Sequence, residues 1–206
     1  MELFGHNADF KMDVLREIGN IGAGNAATAL SRLLDKKVNM KVPTVSLLPF
    51  EQIAERVGGP ETVVVAVYVR VVGDAPGNMF FIMSMEQVNR LLNVLLGMEN
   101  AQGPGYSEME LSTLCEIGNI LGGSYLSSLA DLTGMRLSPT VPSAAVDMAG
   151  AILSYGLLQF GTMGDDALLI DTTFFEGDRQ AEGHFFFIPD PDSFPRLFRS
   201  LGVPME

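Results

Sequence analysis

The sequence predicts an α+β fold made of a duplicated unit of about 100 residues, in which long helices pack on a mostly antiparallel sheet with pseudo-twofold symmetry. Two observations lead to this prediction. A stretch of the first half returns in the second half, and each half combines helical periodicity with hairpin-like pairs of apolar strands. Strand–helix–strand crossovers, which would predict a parallel sheet, are not apparent.

The internal repeat has an offset of 99 residues, since Asp13–Pro43 aligns without a gap with Ser112–Pro142. Within these segments the identical pairs are Leu15/Leu114, EIGNI at 17–21 and 116–120, Gly24/Gly123, Leu30/Leu129, Leu33/Leu132, Val42/Val141 and Pro43/Pro142. Residues 73–97 also resemble 177–202. An internal repeat determines how the rest of the chain divides into structural units. We therefore predict a single domain, 1–206, made of two repeats at about 9–99 and 107–206 and joined at 100–106.

Each repeat opens with a long helix. In the second copy Ser107 and Glu110 have the spacing of a capping box, and Gly134 is placed to end the helix. In the first copy the helical pattern runs from near Asp9 to near Asp35. These two helices carry the repeated motif.

Strands and a second helix follow in the first copy. In the stretch 38–47, Val38, Met40 and Val42 alternate as in a half-buried strand. Residues 62–72 and 77–84 read as a strand pair that turns at the glycines and proline of 73–77. Ser84 and Gln87 then predict a capped helix that ends at Gly97.

The second copy has matching elements. Residues 167–176 and 183–190 read as a strand pair, and a last helix is predicted near Ser193–Leu201. The apolar stretch 148–160 is ambiguous between strand and helix, and we favour a short helix.

Composition excludes several functional classes. The formal net charge of −12 and the scattered basic residues argue against nucleic-acid binding, which needs clustered Lys and Arg. The longest apolar run is interrupted by Arg70, so no membrane insertion is expected, and the start of the chain lacks the pattern of a secretory signal. The single cysteine, Cys115, suits a reducing cytoplasm, and no Cys/His set has zinc spacing. We expect a cytoplasmic protein without a metal site of its own.

The repeated motif places a Glu–Asn pair on one face of each predicted helix. At 100° per residue, Glu17, Asn20 and Gly24 share an outward face, as do Glu116, Asn119 and Gly123 on the second helix. Val14, Leu15, Ile18, Ala29, Leu30 and Leu33 form the core-facing stripe. A solvated helix face is the ordinary explanation of such polar residues. It is weakened because asparagine is a mediocre helix former, yet the pair recurs in both copies.

The glycines of the motif divide into two groups. A glycine inside a helix costs ~1 kcal/mol against alanine, so the exposed Gly24 and Gly123 suggest close approach by another molecule. Gly19 and Gly118, at the edge of the core face, more simply allow close packing. The run GAGNAA at 22–27 also matches a dinucleotide-binding pattern, but that pattern needs a preceding strand and the residues before it have helical periodicity.

A Glu–Asn pair can position reactants but cannot complete a reaction alone. The carboxamides of Asn20 and Asn119 do not titrate near neutral pH, but they can donate and accept hydrogen bonds and so orient a water. Phosphoryl transfer is catalysed largely by such positioning. Glu17 and Glu116 could pair with a lysine of a partner or bind a metal. The motif therefore suggests half of an active site, completed by a partner.

These residues resemble a known family. The pattern [DS]-x3-E-x2-N-x22-P is the signature of the CheC/CheX/FliY phosphatases of chemotaxis. Asp13, Glu17, Asn20 and Pro43 fit it once, and Ser112, Glu116, Asn119 and Pro142 fit it again. The resemblance extends over essentially the whole chain, and the doubled motif is highly specific.

The resemblance implies hydrolysis of the phosphoaspartate of the response regulator CheY. By analogy, Glu17 and Glu116 pair with a lysine of the regulator, Asn20 and Asn119 orient the water, and Mg²⁺ belongs to the regulator, this chain having no cofactor of its own. Asp13 and Ser112 would shape the contact, while Pro43 and Pro142 would fix the chain after each helix.

The family also implies binding of the receptor deamidase CheD, for which Asp147 is a candidate contact, an ordinary acidic strand end being the alternative. Two other functions stay open at this point. The chain could be a non-catalytic adaptor that captures CheY-P or regulates CheD, or it could bind a nucleotide at 22–27.

Overall fold

The computed structural model describes residues 7–97, 105–160 and 166–201, with the side chains of 12–97, 105–154 and 166–201. Within these ranges the α-helices are α1 Asn7–Leu33, α2 Ile53–Arg56, α3 Met85–Leu96, α4 Glu108–Thr133, α5 Ala149–Phe160 and α6 Ser193–Ser200. The described strands are β1 Asn39–Lys41, β2 Val45–Pro49, β3 Val63–Gly73, β4 Gly77–Ser84, β5 Leu137–Pro139, β6 Ser143–Met148, β7 Asp166–Glu176 and β8 Arg179–Pro189.

All eight described strands belong to one antiparallel sheet in the order β1–β7–β8–β4–β3–β5, with β2 also pairing with β7 and β6 with β3. The repeats exchange strands in this sheet. β1 and β2 of the first repeat pair with β7 of the second, and β5 and β6 of the second repeat pair with β3 of the first. The predicted α+β fold with a mostly antiparallel sheet is confirmed.

Strand register makes the pseudo-twofold relation explicit. Val45 lies opposite Ile170, and Ala144, which is 99 positions after Val45, lies opposite Val67. The two halves meet where β4 pairs with β8, with Phe81 opposite Phe185. Each repeat therefore supplies a short outer strand to the other repeat's central strand.

The sheet separates two apolar cores because side chains alternate between its faces. On β4, Phe81 packs in the core shared with α1, α3, α4 and α6, whereas Phe80 packs in the core shared with α2 and α5. Both rings are almost fully buried. The long motif helices thus lie side by side on one face, with their outer surfaces turned away from the sheet.

Helix ends follow the predicted chemistry at three of four positions. The Ser107–Glu110 capping box is complete, with Ser107 N–H donating to Glu110 Oε2 at 2.7 Å, and these bonds lower the pKa of the Glu110 carboxyl. Gly134 and Gly97 end their helices with φ of 68° and 65°, values that favour glycine. The box predicted at Ser84 is only half formed. Ser84 accepts from Gln87 N–H, but the Gln87 side chain accepts from Glu182 N–H instead.

Several other sequence predictions need correction. The stretch 38–47 is divided into β1 and β2 around Pro43, although Val38, Met40 and Val42 do contact the core as predicted. Leu33, assigned to the core stripe of α1, is 55% exposed. Apart from the strand end considered at Asp147, β6 is not predicted by the sequence patterns, and neither are β5 and the short helical segment Phe50–Arg56. The helix at 148–160 is confirmed as α5. Most of the predicted joint, 100–106, lies outside the described residues.

Candidate functional site

The two Glu–Asn pairs lie on the outer surface of the paired helices α1 and α4. Glu17, Asn20 and Glu116 are exposed, and Asn119 is half-buried. Within each pair the residues are one turn apart, roughly 4.5 Å along the helix axis. The predicted outward face of each helix is therefore observed.

Glycines hold these helices close to each other and to the sheet. A Cβ on Gly22 would lie 2.3 Å from Tyr125 Cδ1, so α1 and α4 touch at this point with no room for a side chain. A Cβ on Gly19 would lie 3.1 Å from Val45 Cγ2, and one on Gly118 would lie 2.6 Å from Val67 Cγ1. The packing interpretation of Gly19 and Gly118 is confirmed.

The glycines beyond the Glu–Asn pairs have open surroundings. A Cβ on Gly24 or Gly123 would meet no heavy atom within 4 Å apart from neighbouring chain and helix backbone. Since neither glycine is required by packing or by a positive φ, the surface next to each pair is clear for another molecule.

The motif carboxylates and amides are free to bind an external group. Within the described part of the chain, Glu17, Asn20, Glu116 and Asn119 make no side-chain hydrogen bond or ion pair. Asp13, at the start of the first motif, bonds instead to Arg16 Nη1 at 2.9 Å. Each pair offers one negative charge and one amide that can both donate and accept hydrogen bonds.

At the second site the motif residues line one groove of about 650 Å³. Ser112, Glu116, Asn119 and Pro142 contribute to it, so the structure brings together all four positions of the second motif. Cys115 also lines this groove, and burial raises the pKa of its thiol, which keeps it protonated near neutral pH. This cysteine is therefore not an activated nucleophile.

The remaining predicted residues lie elsewhere. Pro43 is exposed between β1 and β2, in the position equivalent to that of Pro142 between β5 and β6. Asp147 is exposed on β6, where its Oδ1 accepts from Met148 N–H at 2.7 Å. Because Ala144 on the same strand packs towards the motif helices, alternation places Asp147 on the opposite face of the sheet. The structure does not bring Asp147 near either Glu–Asn pair.

Sequence reasoning missed the apolar part of the second groove. Leu33, Leu96 and Val141 line it and are 55%, 38% and 88% exposed. The repeat gave one signal, since Leu33 and Val141 are identical to their counterparts Leu132 and Val42. Helical periodicity instead placed Leu33 in the core.

The nucleotide alternative is wrong, because the glycines of 22–27 lie in the middle of α1 and no strand leads into them. Among the described residues, no three His, Cys, Asp or Glu side chains are grouped to hold a metal ion. None of the described helices is both long and apolar enough to cross a bilayer.

Comparison with known proteins identifies the family of this chain. The CheC-like family model matches residues 10–47 and 109–145, each segment containing one motif helix and the proline that follows it. The CheY-P phosphatase CheC of Bacillus subtilis (strain 168) is 41% identical to this chain over 100% of both proteins.

Solved structures share the fold. The crystal structure of Thermotoga maritima FliY matches with a TM-score of 0.72 and 22% identity, covering 98% of each chain. The CheX–CheY–BeF3–Mg²⁺ complex from Borrelia burgdorferi matches with a TM-score of 0.51 and 19% identity, covering 82% of this chain and 96% of that chain. From the doubled motif, the two family-model matches and the full-length similarity, we conclude that this chain belongs to the CheC-like family.

Proposed function

We propose that this protein is a phosphatase that hydrolyses the phosphoaspartate of the response regulator CheY at two helix sites. One observation carries the proposal: an unpaired glutamate and asparagine stand one turn apart on an exposed helix face, twice, each beside a glycine with open space around it. Such a surface fits another protein that brings the phosphoryl group and the rest of the active site.

Asparagine supplies the positioning part of the mechanism. Its carboxamide can accept a hydrogen bond from the attacking water while it donates another, so Asn20 or Asn119 would hold the water in line with the phosphorus. A hundredfold acceleration requires only ~2.7 kcal/mol of transition-state stabilisation, which is within reach of one well-positioned water.

Glutamate supplies the orientation of the partner. Glu17 and Glu116 are exposed carboxylates without an internal cation, so each could form a charge-assisted hydrogen bond with a lysine in the regulator's site. The Mg²⁺ that neutralises charge on the phosphoryl group would be held by the regulator, and this chain would contribute no cofactor. Asp13 and Ser112 begin each motif and would shape the edge of the contact.

Two comparisons support this partner. The relative that is 41% identical is named a CheY-P phosphatase, and one structure with the same fold is a complex of CheX with CheY. The single cysteine suits a reducing compartment, and we propose that the protein acts in the cytoplasm.

The test is the decay of phosphorylated CheY in the presence of Asn20→Ala, Asn119→Ala and the double variant. Each single variant should retain the activity of its other site. With the double variant, the increase in CheY-P decay rate caused by the protein should be about a hundredfold smaller, since removing a positioned hydrogen-bonding group typically lowers the rate by 10²–10³. If CheY-P decayed as fast with the double variant as with the wild-type protein, the mechanism would be refuted. If the wild-type protein bound CheY-P tightly but did not speed its decay, the protein would instead be an adaptor.

We further propose that the protein binds CheD through the surface around Asp147. β6 lies at an edge of the sheet, and Asp147 is exposed on it. A partner could add a strand to this edge or form an ion pair with the Asp147 carboxylate. Asp147→Lys should weaken CheD binding, whereas Asp178→Lys, an exposed charge reversal on the β7–β8 turn, should leave it unchanged. Equal CheD affinity for both variants would remove Asp147 from the interface.

A further inference from the structure

The groove of the second site has two unlike parts. One end carries the polar groups of Ser112, Glu116 and Asn119. The rest is walled mainly by apolar side chains, among which Leu33, Leu96 and Val141 are the most exposed. We call these three residues the apolar rim.

Val141 makes the rim unusual. Its side chain is 88% exposed, so it contributes almost nothing to the core of the folded chain. Its counterpart in the first repeat, Val42, packs against the core instead. A valine so exposed would gain favourable burial if a partner covered it. Three exposed apolar side chains, from α1, α3 and the β5–β6 connection, line one groove, and grouped exposed apolar residues are typical of protein contacts.

We propose that the apolar rim binds an apolar side chain of CheY that lies beside the phosphorylated aspartate, and that this contact sets the affinity of the second site. The inference rests on the proposed function. CheY is the proposed occupant because Leu33 and Val141 line the same groove as Glu116 and Asn119, so a protein that brings its phosphoryl group to Asn119 lies next to them. The groove of about 650 Å³ has room for a large apolar side chain of a partner.

The rim acts on binding and not on the chemical step. Its side chains carry no group that can move a proton or stabilise charge, so they contribute equally to the bound substrate and to the transition state. Interactions of this kind lower KM without raising kcat. A KM effect at constant kcat therefore distinguishes the rim from the Glu–Asn pair.

The experiment uses a parent in which the first site is disabled by Glu17→Ala and Asn20→Ala. Leu33→Ser and Val141→Ser are added together, both at exposed positions where folding should be little affected. Leu132→Ser is the matched control, because Leu132 is the repeat counterpart of Leu33 and is 45% exposed. Two quantities are measured for each protein: kcat and KM for phosphorylated CheY, and Kd for beryllofluoride-activated CheY.

The rim variant should raise KM and Kd by about tenfold with kcat within about twofold, since truncating apolar contacts at the centre of an interface weakens binding. The control should match the parent. Unchanged KM and Kd would overturn the proposal, as would a fall in kcat alone. Unchanged Kd together with lost self-association would show that a second copy of this chain occupies the groove.

The Kd measurement separates this proposal from the phosphatase itself. If the protein bound CheY-P without hydrolysing it, the proposed function would fail while a tenfold change in Kd would still support the rim. If the parent hydrolysed CheY-P and the rim variant bound it equally well, only the rim would fail.

Discussion

The two helix sites keep the same Glu–Asn pair but differ in almost everything that surrounds it. Asn20 is exposed and Asn119 half-buried, Asp13 is bonded to Arg16 while Ser112 faces a groove, and Val42 is packed while Val141 is exposed. Chemistry requires one fixed pair of side chains. Recognition can be achieved by many surfaces, so we infer that the surroundings changed while the pair did not.

One substitution under the helices accounts for part of the difference. In the first repeat Gly19 packs on Val45 of the outer strand β2, whereas the residue equivalent to Val45 in the second repeat is Ala144. The smaller alanine lets α4 lie against Val67 of the central strand β3, where Gly118 makes its contact. The second helix is therefore packed more tightly at its glycine than the first.

This difference predicts a large asymmetry between two equivalent substitutions. Gly118→Ala should destabilise the protein by about 2–3 kcal/mol, because its Cβ would overlap a fully buried valine in the middle of the sheet. Gly19→Ala should cost about 1 kcal/mol or less, because its nearest contact at 3.1 Å can be relieved by a small shift. Urea unfolding of both variants measures the two free energies. Equal losses would mean that the helices are packed alike.

The far face of the sheet carries a second difference. Asp171 lies beside Thr44 and Tyr68 lies opposite Ser143, and Thr44 and Ser143 are equivalent in the repeat. Burial raises the pKa of Tyr68 to about 12, and its hydroxyl donates to Asn78 at 3.0 Å. The pKa of Asp171 would be raised by burial, but hydrogen bonds from His184 and Arg56 outweigh burial and lower it.

Between pH 3 and pH 7, Asp171 should therefore make the free energy of unfolding depend on pH, whereas Tyr68 should not. Because its pKa is lower in the folded state, its contribution is complete above the unfolded value of about 3.9 and is lost as the pH falls through the folded value. Asp171→Asn should cost about 2 kcal/mol at pH 7, with the loss shrinking towards pH 3. Tyr68→Phe should cost about 1 kcal/mol at both pH values. Urea unfolding between pH 3 and 7 checks this, and a pH-independent loss for Asp171→Asn would contradict it.

The smallest stability effects are expected where the two sites agree. Gly24→Ala and Gly123→Ala should each stabilise the protein by ~0.5–1 kcal/mol, because both positions are helical and open. If CheY approaches these glycines, each alanine should also slow its own site, by about tenfold for a misplacement near 1 Å. Unfolding and CheY-P decay are measured on the same preparations. Faster or unchanged decay would show that the partner does not come close there.

Local features of the sequence predicted much of this structure. The Ser107–Glu110 cap and the helical ends at Gly97 and Gly134 depend on neighbours within a few residues, and the structure has them as predicted. The outward face of Glu17 and Asn20 followed from helical geometry alone.

Features that depend on distant residues were not predictable in this way. Strands β2 and β6 each pair with the other repeat, and in the β3–β6 pairing the partners lie 75 or more residues apart, as Tyr68 and Ser143 do (143 − 68 = 75), so no local pattern encodes it. Gln87 was assigned to a cap because its spacing from Ser84 fits, but Glu182 of β8 offers a competing N–H. Leu33 has the periodicity of a core residue, yet it lies at the end of α1 where the groove begins.

The most direct test of this account is a comparison of two single-site proteins. Asn119→Ala leaves the first site and Asn20→Ala leaves the second, and kcat and KM for phosphorylated CheY are measured for both. If the Glu–Asn pair performs the chemistry and its surroundings determine recognition, the two kcat values should agree within about threefold, while KM should be about tenfold lower for the second site. Equal KM values with kcat differing by more than about tenfold would contradict the account.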